Sequence, residues 1–212
     1  MTSLNKIFAY IAIITKQYNI DQSHGMKHSM DVIQFAHIIL HTEFTKYPFL
    51  KKQEKVIYTA ALLHDMCDKK YMDEVEGIHN LEKFIGDKFT EEELDATKNI
   101  ISTMSYSKVM KSETAEFPDL GQWQHAYHIV READLLAAYD FDRCMIYQIE
   151  KLNGDFDNAF NGAKLLFDKR VLKHFDNGLL LTNKGQELGR ALHINALNRI
   201  NVWNTLSTKT IM

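Results

Sequence analysis

The segment Ala60-Ala61-Leu62-Leu63-His64-Asp65 decides the predicted fold. It continues a pattern in which Val56, Ala60 and Leu63 fall on one face, so we predict a helix over about residues 51–66. A histidine and an aspartate therefore end a stripe of apolar residues that faces the core. An unpaired buried carboxylate is costly, so a buried aspartate normally pairs with a cation or coordinates a metal. The segment thus predicts both a buried helix and a site at its end.

Helical periodicity recurs along almost the whole chain. Two prolines and nine glycines interrupt it rarely, and the alternating pattern typical of strands is scarce. We therefore expect an all-α fold with one domain of about eight helices and its longest loop at 102–121. The predicted helices are 4–18, one through 28–39, 51–66, one opened by Asp73, one opened by a capping box at Thr90 and Glu93, 122–150, 157–175 and 182–206.

Composition excludes several classes of protein. The 212 residues are 45% apolar and 25% charged, as in soluble globular domains, and the net charge of −3 argues against a dedicated nucleic-acid binder. Two cysteines, Cys67 and Cys144, give neither a disulfide framework nor a thiolate zinc site. The most apolar run, 7–14, is far shorter than the roughly 20 residues that span a bilayer. We expect a cytoplasmic protein that does not enter a membrane.

Four ionisable residues fall on core-facing stripes of three predicted helices. They are His28, the pair His64 and Asp65, and Asp134. Two imidazoles and two carboxylates suit one divalent cation such as Mn, Fe, Co, Ni, Zn or Mg, with water in the remaining positions. Buried histidine and aspartate side chains also hydrogen-bond to each other as structural pairs. The pattern alone leaves a metal site and such pairs both open.

Five sequence elements resemble a known family. They are 24–32 (His-Gly-Met-Lys-His-Ser-Met-Asp-Val), 60–70 (Ala-Ala-Leu-Leu-His-Asp-Met-Cys-Asp-Lys-Lys), 105–107 (Ser-Tyr-Ser), 133–137 (Ala-Asp-Leu-Leu-Ala), and 164–166 (Lys-Leu-Leu) with 182–185 (Thr-Asn-Lys-Gly). In this order they resemble the small single-domain proteins of the HD superfamily of metal-dependent phosphohydrolases. The resemblance implies that residues 1–212 form one HD domain, with a motif-bearing core at about 20–195 and flanking terminal helices packed on it.

The resemblance also implies a chemistry. It assigns His28, His64, Asp65 and Asp134 as ligands of one divalent metal ion, whose identity stays open. The reaction would be hydrolysis of a small phosphorylated metabolite, most readily a nucleotide or a related phosphate ester. Asp68 and Asp73 resemble the additional acidic residues that some HD nucleotidases place around the attacking water, although Asp73 also has the form of a helix N-cap.

Substrate-binding residues are predicted around the same motifs. They are His24, Lys27, Lys69, Lys70 and Ser105. The chain departs from the family pattern twice, with Gly25 where relatives often have Asp and Asp31 where they often have Arg. The second departure removes a fixed positive charge, so we expect phosphate to be bound by the lysines instead, unless the substrate differs or the enzyme is weakened.

Two alternative functions stay open. The departures at Gly25 and Asp31 are compatible with a non-catalytic module that keeps the metal as a structural staple or as a ligand sensor. An HD-type di-iron oxygenase would need further histidine ligands, for which His79, His125 and His128 are the candidates between the second and last motifs. A homodimer is possible, but the sequence does not separate a dimer face from the core.

Overall fold

Helices form the regular structure of this chain, as predicted. The computed structural model describes residues 3–112 and 114–209, and these contain ten α-helices, six short 3₁₀ helices and no strand. The α-helices are α1 (Ser3–Gln17), α2 (Met26–Glu43), α3 (Glu54–Leu63), α4 (Glu74–Ile85), α5 (Glu91–Thr103), α6 (Tyr106–Val109), α7 (Gln124–Ala137), α8 (Phe141–Lys151), α9 (Phe156–Lys169) and α10 (Asn183–Ser207). The all-α prediction is confirmed. The predicted domain, 1–212, extends to positions 1, 2, 113 and 210–212, which lie outside the described residues.

Two differences account for the larger number of helices. The helix predicted over 122–150 is two helices, because the chain turns after Ala137 and Asp140 starts α8 by accepting a hydrogen bond from the backbone N–H of Arg143 at 3.0 Å. The stretch predicted as the longest loop contains the one-turn helix α6. The two helix caps predicted from the sequence are present: the capping box at Thr90 begins α5, and Asp73 is the N-cap of α4.

The core is built around α3, whose side chains from Thr59 to Leu63 are all buried. A helix that is apolar on every side must be surrounded by other helices. Here α2, α5 and α7 pack against α3, and α2 also packs along α7. A second, smaller cluster joins α8, α9 and α10 through residues that include Phe141, Phe160 and Phe167. Among the described helices, none is both long and apolar enough to cross a membrane.

Candidate metal centre

Three packed helices bring the four predicted ligands to one point. His28 lies in the first turn of α2, and Asp134 lies in the last turn of α7. His64 and Asp65 begin the 3₁₀ turn His64–Cys67, which follows α3 directly. Because α2 packs against both α3 and α7, the three segments that carry these residues meet.

The side-chain atoms of these residues are close enough to share one cation. The Nε2 atom of His28 lies 3.2 Å from Nε2 of His64, 3.3 Å from Oδ2 of Asp65 and 3.2 Å from Oδ1 of Asp134. The Nε2 atom of His64 lies 3.3 Å from Asp65 Oδ2 and 3.7 Å from Asp134 Oδ1. Atoms bound to one metal at about 2.0–2.2 Å lie roughly 3–3.5 Å from each other, so this spacing suits a common cation.

Hydrogen bonding also leaves the cluster ready for a cation. The Nδ1–H of His64 donates to the carbonyl oxygen of Ala61 at 2.9 Å, which in a neutral ring leaves the Nε2 lone pair free. Oδ2 of Asp65 is buried and accepts no hydrogen bond from the described residues. A buried carboxylate oxygen without a donor is costly, and a metal ion would satisfy it. The residues present therefore fit a divalent metal.

Protons and metal compete for this cluster. Burial lowers the pKa of His28 below its ordinary value. Burial would do the same to His64, but the carboxylates of Asp65 and Asp134 outweigh it and raise the pKa of His64 well above 6.5. Burial alone would raise the pKa values of Asp65 and Asp134. The two imidazoles outweigh it, so that the pKa of Asp65 is lowered to about 2 and that of Asp134 lies well below its ordinary range. A proton on His64 thus balances the carboxylates, and a divalent cation would replace it.

Two cavities meet at the cluster. The larger, of about 350 Å³, is lined by His28, Asp65 and Asp134 together with side chains of α8 and α9. The smaller, of about 90 Å³, is lined by His64, Asp65 and Asp134 and by the loop after α5. The larger space has room for a small organic molecule, and the smaller has room for little more than water.

A comparison with known protein families decides the identity. The family model described as 5'-deoxynucleotidase YfbR-like matches residues 1–173. The chain belongs to the YfbR-like 5'-deoxynucleotidase family. Members of this HD family are metal-dependent phosphohydrolases that act on phosphoric esters, so the predicted family, enzyme class and need for a divalent metal are confirmed. No curated protein and no solved structure gives a significant match.

In this YfbR-like protein, four of the predicted substrate-binding residues line the two cavities. His24 and Lys70 line the larger cavity, Lys69 lines the smaller, and Ser105 lines both. The carboxylate of Asp68, predicted to be catalytic, also lines both cavities and accepts a hydrogen bond from the backbone N–H of Lys70 at 2.8 Å. These positions agree with roles at the site, and the roles themselves stay predictions.

The other predicted residues lie elsewhere. Lys27 forms an ion pair with Asp31 at 2.6 Å and faces a separate cleft between α2, α8 and α10. Asp73 accepts a hydrogen bond from the backbone N–H of Glu76 at 2.9 Å and lines neither cavity at the cluster. The departure at position 31 therefore falls outside the cavities that open on the cluster. A Cβ on Gly25 would make only ordinary contacts, so the structure gives no reason for glycine there.

Further histidines contribute no atom to this cluster. His79 is exposed, His125 packs against Tyr47 with ring centroids 4.2 Å apart, and His128 packs against Phe117. Across the described parts of the chain, His28, His64 and Asp65 form the one candidate metal cluster whose ligand atoms all lie within 4.8 Å of one another. Asp134 is outside that group, although its Oδ1 lies 3.2 Å from Nε2 of His28.

Sequence reasoning missed the residues of the far wall of the larger cavity. That wall includes Tyr106, Arg143, Tyr147 and Arg170. Arg143 and Tyr147 come from α8 and Arg170 directly follows α9, and no spacing in the sequence connects these three to the metal motifs. Tyr106 belongs to the Ser-Tyr-Ser element at 105–107, in which only Ser105 was predicted to bind substrate. The wall supplies two guanidinium groups and two aromatic rings that face the same space as the predicted metal ligands.

Proposed function

We propose that this protein removes the phosphate group from 2'-deoxyribonucleoside 5'-monophosphates, with His28, His64, Asp65 and Asp134 as the metal ligands. One observation carries the proposal. In a chain of the YfbR-like family, His28, Asp65 and Asp134 line a cavity of about 350 Å³, and Nε2 of His64 lies 3.2 Å from Nε2 of His28 beside it. That volume lies at the lower end of the range for small-ligand sites, as expected for a mononucleotide.

A divalent cation bound there would polarise the phosphoryl group and lower the pKa of a bound water. The chain's own groups have separate tasks. The Ala61 carbonyl holds the His64 ring in the tautomer whose Nε2 points into the cluster. Asp68, between the two cavities, is placed to accept a proton from an attacking water, and its hydrogen bond from the Lys70 backbone fixes the direction of the carboxylate.

His24 lines the larger cavity, and hydrogen bonds hold its ring in place. Its Nδ1 lies 3.0 Å from the hydroxyl of Tyr71 and 2.8 Å from that of Ser23, and both hydroxyls hydrogen-bond to Asp21. Because Nδ1 is engaged in this network, Nε2 is the ring atom left for a ligand. We propose that His24 contacts the leaving nucleoside oxygen or the sugar.

The test is a panel of phosphate esters assayed with each of six divalent cations, Mn, Fe, Co, Ni, Zn and Mg. The panel contains the four 2'-deoxynucleoside 5'-monophosphates, their ribonucleotide counterparts and the matching 3'-monophosphates. We expect metal-dependent phosphate release from the 2'-deoxy 5'-monophosphates, with lower rates on the other two sets. Asp68→Asn should lower kcat by about 100-fold or more while metal content is unchanged.

Two results would contradict the proposal. Equal rates on ribonucleotides or on 3'-monophosphates would remove the proposed selectivity. No phosphate release with any cation, from protein that still retains metal, would support the non-catalytic module instead.

A further inference from the structure

The larger cavity contains three cationic side chains, and they differ in what already binds them. Lys70 forms an ion pair with Asp21 at 3.1 Å. Arg143 donates to two backbone carbonyl oxygens, those of Ser23 at 2.6 Å and Ala137 at 3.3 Å. Both groups therefore hold neighbouring segments of the chain together. Each would have to give up a contact before it could bind a ligand.

Arg170 is in a different position. Its guanidinium lies over the ring of Tyr106, 4.2 Å from the ring centroid, and within the described residues no carboxylate oxygen lies within 4 Å of it. A guanidinium stacked on a ring uses its face for that contact and keeps the N–H donors of its edge. The stack also restrains a long side chain that would otherwise lose entropy on binding a ligand.

The location of Arg170 connects it to the metal cluster. It directly follows α9 and, with Tyr106, lines the cavity that is also lined by Asp65 and Asp134. The pKa of His174 is lowered first by burial and then by the positive charge of Arg170. The negative charge of Asp134 acts on the same ring and raises its pKa. Arg170 and Asp134 thus both lie close enough to one buried histidine to act on its charge.

We propose that Arg170 binds the phosphate of the substrate and that Tyr106 is its positioning residue. The inference rests on the proposed function, since it adds a binding group to the same site. A phosphate monoester carries close to two negative charges at neutral pH, and a guanidinium edge can donate two parallel hydrogen bonds to it.

The experiment measures binding of inorganic phosphate and of 2'-deoxyadenosine, separately, by calorimetry on the metal-loaded protein. We expect Arg170→Ala to weaken phosphate binding at least about 10-fold and to leave nucleoside binding unchanged. Arg170→Lys keeps the charge but loses the planar guanidinium, so its phosphate affinity should lie between that of Arg170→Ala and that of the wild type. Tyr106→Leu should weaken phosphate binding several-fold, whereas Tyr106→Phe, which keeps the ring, should match the wild type.

A matched control is available in Arg190, which is exposed, lies over Phe175 at 5.9 Å and lines neither cavity at the cluster. Arg190→Ala should bind phosphate like the wild type. Unchanged phosphate affinity in Arg170→Ala would overturn the inference, as would a loss confined to the nucleoside or a wild-type protein that binds no phosphate. Phosphate binding that depends on Arg170 in a protein without deoxynucleotide hydrolysis would uphold the inference and refute the proposed function.

Discussion

The carboxylate of Glu132 is bound by Thr182, fifty residues further along the chain. It accepts hydrogen bonds from the Thr182 hydroxyl at 2.6 Å, from the Thr182 backbone N–H at 3.1 Å and from the Leu181 backbone N–H at 2.8 Å. Glu132 is fully buried and lies two residues before Asp134 on α7. The contact therefore fixes the start of α10 against the helix that carries a predicted metal ligand.

The same contact explains the element Thr-Asn-Lys-Gly at 182–185. The hydroxyl of Thr182 accepts from the backbone N–H of Gly185 at 3.0 Å, which caps α10, while it donates to Glu132. A Cβ on Gly185 would collide with the Glu132 carboxylate. One threonine thus satisfies both a helix terminus and a buried charge, and the glycine leaves room for that charge.

Thr182→Val should destabilise the fold. The substitution removes a hydrogen bond to a buried carboxylate and an N-cap, which together contribute about 2–4 kcal/mol. The measurement is the free energy of unfolding in urea, with chelator present so that metal binding does not contribute. Thr182→Ser keeps the hydroxyl and should lose less than about 1 kcal/mol. Unchanged stability in Thr182→Val together with a loss in Thr182→Ser would show that the methyl group, and not the hydroxyl, stabilises this contact.

His174 should make the protein less stable as the pH falls. Its ring is fully buried, neither nitrogen has a hydrogen-bond partner in the described structure, and burial together with the charge of Arg170 lowers its pKa to about 3. The unfolded chain, with a histidine pKa near 6.5, binds this proton first. Between about pH 6.5 and pH 3 the unfolded state is therefore favoured increasingly as the pH falls.

The variant His174→Phe removes this titration and keeps a ring of similar size. Between pH 7 and pH 5, the free energy of unfolding of the wild type should fall by about 2 kcal/mol more than that of His174→Phe. The measurement is urea unfolding of the metal-free proteins at both pH values. His79→Gln, which changes an exposed histidine, should follow the wild type. A wild-type stability that changes with pH in parallel with that of His174→Phe would show that His174 binds its proton at the same pH in the folded protein as in the unfolded chain.

Asp73 offers a test between capping and catalysis. Its carboxylate caps α4 through the backbone N–H of Glu76, and an asparagine caps equally well. If capping is its role, Asp73→Asn keeps both stability and turnover, and Asp73→Ala loses about 1 kcal/mol of stability with turnover unchanged. A turnover rate that drops about 100-fold in Asp73→Asn, at unchanged stability, would instead establish the catalytic role predicted from the sequence.

The sequence predicted the parts of this protein that local patterns determine. The apolar stripe that ends at His64 predicted the central helix, and the capping box at Thr90 predicted the start of α5. Convergence of His28 and Asp134 on the pair at 64 and 65 was expected from the faces they occupy and from the family resemblance. Local pattern also predicted one helix over 122–150, where the carboxylate of Asp140 starts a second helix instead.

The rest depends on contacts between segments that are distant in sequence. Arg170 faces the cavity because α9 packs against α8. It lies four residues after the Lys-Leu-Leu element at 164–166, but that element does not extend to it and does not identify it as a binding residue. The lysines illustrate the reverse case, since Lys27 and Lys70 look available in the sequence but form ion pairs in the fold with Asp31 and Asp21. Charge alone therefore does not identify a phosphate-binding residue.

We propose that a single cation held by His28, His64, Asp65 and Asp134 is required for phosphate release. The most direct measurement determines metal per chain by elemental analysis, on protein purified without a metal-affinity step, and phosphate release from 2'-deoxyadenosine 5'-monophosphate by the same samples. The wild type should hold about one metal per chain and release phosphate. His64→Ala and Asp65→Ala should lose both. Full activity in either variant, or two irons per chain with an oxygen-dependent reaction, would contradict the account.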